Sequence, residues 1–278
     1  SRLPDGIHRW LFEPAPRARV AVFRAVVYSF IFVDVLLTTS WIAGHGDLPG
    51  ELYHPLWLGR VLHLPTPTPL LVAIIQWGLL GAAVAVFGKA PRVMGAAVAL
   101  LYLWWMLIGF SYGKVDHDRV AFLVALAVLP TVGPAGPHDA QDDAAAGWAL
   151  RCIQIAVVLT YFLAAFAKFR FGGLEWLTGA TLTRAVIRRG TWLASPLAEY
   201  PVLLQAFQYL IVLFELSSPL LLARGRIGRV FLGGAFAFHV LTYASITIIF
   251  LPHVVCLLAF LPLERIPERM RRMRLRTA

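Results

Sequence analysis

Apolar residues run along this chain in long blocks separated by short polar or basic stretches, at residues 20–43, 69–88, 93–110, 120–132, 148–167, 202–223 and 230–263. The hydrocarbon core of a bilayer is about 30 Å thick and takes about 20 apolar residues in helical form, so the blocks predict membrane-spanning helices. As one helix the last block would run about 50 Å, and a turn between Ala244 and Pro252 is expected to divide it into two short helices. Block 120–132 is short. It either begins within Asp116-His117-Asp118-Arg119, tilts little, or is shielded by its neighbours. The expected fold is all-α, a polytopic integral membrane bundle of about eight transmembrane helices.

Composition strengthens this reading: of 278 residues 59% are hydrophobic and 14% charged. The first block is too long for a signal-peptide core and has no small-residue cleavage site before the next block, so it reads as a retained helix. Neither a soluble domain nor a tandem repeat is visible, and residues 1–278 are expected to form a single transmembrane domain. Cys152 and Cys256 sit in separate apolar blocks without ligand-like spacing, which indicates neither a disulfide framework nor a metal site.

The net charge of +10 would suit a nucleic-acid binder, but the basic residues flank the apolar blocks. Membrane lipid, not nucleic acid, is the expected partner. Arg2, Arg9, Arg17 and Arg19 precede the first block, Lys89 and Arg92 follow the second, and Arg224, Arg226 and Arg229 follow the sixth. With an Arg-rich tail, these place segment 1–19, tail 264–278 and hence both termini of a multi-pass cell-membrane protein in the cytoplasm. Loops 44–68, 111–119 and 168–201 are then outside. The last of them dissents from the positive-inside bias, with Lys168, Arg170, Arg184, Arg188 and Arg189, and suggests an interfacial amphipathic helix that binds acidic groups. Most tryptophans, among them Trp41, Trp57, Trp105, Trp176 and Trp192, fall near span ends and read as interfacial anchors.

Candidate chemistry converges on the outer face. Lys168 ends the fifth block, Asp116 and His117 precede the fourth, and His239 lies a turn or two below the same surface. An ionisable residue at membrane depth is costly and marks a functional site by default. A desolvated lysine has a lowered pKa and can serve as a base, and a histidine can relay its proton. Simpler roles stay open: Lys168 snorkelling, His117 solvated, His239 hydrogen-bonded within the bundle. Counting residues along the helices puts Arg24 and Glu215 about 6 Å apart in depth, which suggests a buried pair, and leaves Asp34 to balance Lys168. Gln76 and Gln154 read as interhelical hydrogen-bonders. His45, His54 and His63 show no metal spacing.

Several of these residues fall in an ordered series. Arg24, Gly113-Lys-Val-Asp-His117, Gln154, Tyr161-Phe-Leu-Ala-Ala-Phe-Ala-Lys168, Trp176-Leu-Thr-Gly179, Glu215-Leu-Ser-Ser-Pro219 and Phe238-His239 together resemble the HTTM superfamily, the membrane domain shared with vitamin K-dependent gamma-carboxylase. The resemblance covers nearly the whole chain, although Ala165 stands where such motifs commonly carry glycine. It implies a quinone/hydroquinone cofactor of the menaquinone or vitamin K type, with Lys168 as the base and His117 and His239 assisting. Tyr161, Trp176 and Phe238 would flank the cofactor, and a protein or peptide substrate would approach from the outer face. The expected function is a carboxylase-like membrane lyase with no metal. The alternative is a non-catalytic membrane assembly or maturation factor that docks its partner on residues 178–189.

Overall fold

The computed structural model describes residues 4–88 and 90–267. Arg2, Lys89 and the tail from residue 268 lie outside the described residues. Of the described residues, 76% are helix and 2% strand. It divides into two compact units, one comprising residues 1–153 and 261–278, the other residues 154–260.

The first unit opens with α1 (Asp5–Leu11) and the two-residue strand β1 (Ala15–Pro16), then α2 (Arg17–Val33), whose last turn widens into a π-helical stretch at Asp34–Thr38. A short α3 (Trp57–Val61) leads to α4 (Pro69–Ala85), α5 (Pro91–Phe110) and α6 (Val120–Val128). Strand β2 (Asp142–Asp143) pairs antiparallel with β1, and α7 (Ala144–Gly172) follows. Proline at the first position of α4 and α5 marks their starts, because the missing amide would have had no helical partner there. Thr68 caps α4 by accepting the Leu71 amide.

Residues 28–42, from α2 into the 3-10 stretch beyond it, run in the same direction as α5. A Cβ on Gly95 would lie 2.7 Å from the Tyr28 hydroxyl, and one on Gly109 would lie 2.7 Å from Ile42, so equal steps along the two segments keep them in contact. The short block after residue 119 forms nine residues of α6 and then a 3-10 turn at Leu129–Thr131 that contains Pro130. That break leaves carbonyls without helical partners. Arg24, buried in α2, donates to the carbonyls of Leu129, Val132 and Gly133 and thereby caps the end of α6.

The second unit contains α7 from Gln154 onward, α8 (Glu175–Thr178), α9 (Thr181–Arg189), α10 (Pro201–Leu216), α11 (Arg226–Ile246) and α12 (Leu251–Leu257). The last apolar block breaks where expected: Thr247 ends α11 in the left-handed conformation, φ 57°, and α12 begins at Leu251. Gln154 ties the unit's two ends together by donating to the Ala259 carbonyl at 2.9 Å.

Among the described residues, four helical segments are long and apolar enough to cross a membrane: Arg17–Thr38, Pro91–Phe110, Ala144–Gly172 and Arg226–Ile246. Three further apolar helices are shorter, at Pro69–Ala85, Pro201–Leu216 and Leu251–Phe260. Their outward faces are apolar as well: α4 exposes Leu70, Ile74 and Trp77, and α10 exposes Leu210 and Leu213.

Candidate functional site

The site is built on α7, whose run 161–168 carries both a phenol and an amine. Lys168 is not at the end of a helix, since α7 continues one turn further to Gly172. Its Nζ donates to both carboxylate oxygens of Glu215 on α10, at 2.6 and 2.7 Å. The side chain of Glu215 is 6% exposed and that of Lys168 19%, so the pair is shielded on the acid side and reachable from the amine side. Trp176 covers the ammonium with its ring centroid 5.1 Å from Nζ, a cation–π contact.

This pairing corrects two expectations. Arg24 does not meet Glu215, and Asp34 does not balance Lys168. Counting residues along straight helices ignored side-chain direction, because helical side chains lean towards the N-terminus of their own helix. Ser218 Oγ donates to the Val158 carbonyl and Phe214 packs on Tyr161, so α7 and α10 are antiparallel. Lys168 and Glu215, each leaning back along its own helix, therefore reach towards one another.

Two turns below Lys168, the Tyr161 hydroxyl lies 2.7 Å from His239 Nε2 on α11. Phe214, the residue before Glu215, connects the two polar pairs. Its ring is 5.3 Å from Tyr161 and is stacked on Phe238 at 5.0 Å and on Phe231 at 4.9 Å. His253 on α12, not anticipated from the sequence, closes the cluster 4.6 Å from Tyr161. His239 is 8% exposed, and its Nδ1 has no hydrogen-bond partner among the described residues.

Of the sequence-predicted residues, Lys168, His239, Tyr161, Trp176 and Phe238 all belong to the second unit and are joined by these contacts. His117 belongs to the first unit, where it is the exposed first residue of a 3-10 turn at His117–Arg119 whose other two residues are buried. Beside it lies a separate buried network. Arg119 donates to Asp34 Oδ1 and to the Tyr102 hydroxyl, Tyr102 donates to Asp34 Oδ2 at 2.8 Å, and Thr38 donates to Asp34. Trp105, read as an interfacial anchor, is instead fully buried and donates to Thr39 Oγ1 at 3.0 Å. Asp118, 7% exposed, has its pKa raised to about 6, chiefly by burial, against the opposing pull of Arg119.

Residue Gln208, also missed from the sequence, fixes the segment that carries Trp176. From the middle of α10 it accepts the Leu182 amide at 2.7 Å and donates to the carbonyls of Trp176, Leu177 and Gly179 at 2.8 to 3.1 Å. A side-chain amide in an apolar helix was the available signal, the one that did single out Gln154. A cavity of about 220 Å³ lies elsewhere in this unit, lined by Leu221, Gly228, Arg229, Leu232 and Phe260. Leu232 is about 10 Å along α11 from His239.

Comparison with protein-family models, with curated proteins and with solved structures gives no match.

Proposed function

We propose that the protein is an integral membrane enzyme of about eight helices with both termini cytoplasmic, and that its second unit moves protons at a bound quinone-type ligand in carboxylase-like chemistry. The observation that carries this reading is the two-point contact between Lys168 and Glu215 among apolar helices. Burying an ion pair gives less stability than an apolar pair of the same volume, and within a membrane such a pair marks a functional site by default.

The residues fit a flat, amphipathic ring. The rings of Tyr161, Phe238 and Trp176 offer apolar faces, and the unpartnered His239 Nδ1 is a polar atom suited to a carbonyl or hydroxyl oxygen. A quinol bound there would supply the acidic hydroxyl and the redox capacity that side chains lack. Glu215 accepts the proton that Lys168 holds, across 2.6 Å, leaving a neutral amine and a neutral acid. In that form Lys168 serves as a base. Trp176 favours the ammonium that results, and His239, held by Tyr161, orients the ligand from the far side.

The test is mass spectrometry of lipid extracts from detergent-purified protein, with menaquinone added back. The wild type is expected to retain quinone, Lys168→Ala and His239→Ala to lose it, and Lys168→Arg to retain it while losing turnover, because guanidinium is not a base. No quinone retained by any form, with Lys168→Ala behaving as wild type, overturns the reading in favour of a non-catalytic assembly factor.

A further inference from the structure

Within the second unit, α9 is held on one face and open on the other. Leu182 and Val186 are packed with Ala194, Leu204 and Ile246. Thr191, just beyond the helix, binds the end of α11 through its hydroxyl to the Ala244 carbonyl at 2.6 Å and its amide to Ser245 at 3.0 Å. The helix is thus fastened where α11 terminates and α10 begins. Its outward face carries Arg184, Ile187 and Arg188, with Arg189, Trp192 and Leu193 following, all of them exposed.

None of the side chains of Arg184, Arg188 and Arg189 forms an ion pair or hydrogen bond with a described residue. Arg188 and Arg189 lie in the last turn and complement the helix dipole, but Arg184, in the first half of the helix, gains nothing from it. The apolar neighbours point to what covers this face. Ile187 is 71% exposed and Trp192 87%, a poor arrangement against water or an acidic soluble chain. Guanidinium groups interleaved with an aliphatic and an indole side chain match the boundary between headgroups and acyl chains. We infer that α9 lies in the membrane interface and that Arg184, Arg188 and Arg189 bind the phosphates of anionic phospholipid, with Ile187 and Trp192 inserted beneath them. Arginine suits phosphate through its two-pronged donor geometry.

The inference rests on the membrane reading and is independent of the redox one. Full-length protein in neutral detergent, stripped of lipid, is titrated with phosphatidylglycerol and separately with phosphatidylcholine, and bound lipid is counted by native mass spectrometry. Wild type is expected to prefer phosphatidylglycerol about tenfold or more. The triple variant Arg184→Gln, Arg188→Gln, Arg189→Gln, whose buried face is intact, is expected to lose that preference while keeping its melting temperature. Brominated phosphatidylglycerol is expected to quench wild-type fluorescence more than that of Trp192→Phe. Equal binding of the two lipids by wild type, or an undiminished preference in the triple variant, overturns the inference alone. Release of the chain from membranes by alkaline carbonate overturns it together with the membrane reading.

Discussion

The Tyr161 hydroxyl and His239 Nε2 meet at 2.7 Å between α7 and α11, and on the other side of that imidazole Nδ1 has no described partner. A buried polar atom left without a partner costs about 1–3 kcal/mol. Tyr161→Phe, which orphans the second nitrogen as well, is therefore expected to destabilise the protein by about that amount. Adding His239→Phe removes the orphan, so thermal unfolding in detergent should show the double variant losing less than the sum of the singles.

Removing one partner of the Lys168–Glu215 pair strands a buried charge, at a cost of about 3–5 kcal/mol. Lys168→Met and Glu215→Leu are each expected to lower the melting temperature strongly. Together they should recover most of the loss, because two apolar side chains replace two matched charges. A double variant that loses the sum of the two single losses would show that the two groups are not coupled.

Asp118 carries a pH dependence. Its pKa in the folded protein is about 6, raised by burial and by the charges of Asp116 and Asp34, and lowered by Arg119. Unfolded aspartate titrates near 3.9. The folded state thus binds the proton more tightly, so the contribution to stability is fully present below about pH 4 and is lost as pH rises through about 6, at most about 3 kcal/mol in all. Melting curves at pH 5 and pH 7.5 should differ less for Asp118→Asn than for wild type, with the variant gaining at the higher pH.

Gln208 is the main tether for residues 176–182, beside Gln205, which donates to the Thr178 carbonyl at 2.8 Å. Gln208→Leu removes every one of the Gln208 bonds and exposes four backbone groups to re-pairing, at about 1 kcal/mol or more per unmet group. Limited proteolysis is expected to cut the variant between α8 and α10 much faster than wild type. With the tether gone, Trp176 should also leave Lys168, which a fluorescence shift on Lys168→Ala in the wild-type background, but not in the variant, would report.

Blocks of apolar residues were legible because hydrophobicity is a sum over local sequence. The same holds for the break near residue 247, forced by a length no single span needs, and for Gln154 as a cross-helix donor. Proline at the head of α4, α5 and α10 fixed their starts through its own missing amide.

Partner choice was not legible. Arg24, Asp34, Lys168 and Glu215 are all visible in the sequence as costly charges, yet each was matched to the wrong group, since pairing depends on helix phase, side-chain lean and contact distances of a few ångströms. Segment 168–201 read as an outer loop, and folding brings it against α10 through Gln208 and against the end of α11 through Thr191. The amino-acid order establishes which stretches must leave water, because each residue's transfer free energy travels with it. Which charge answers which is settled by the packed helices, because a carboxylate has no preferred partner until backbone geometry places one guanidinium or ammonium within hydrogen-bond reach.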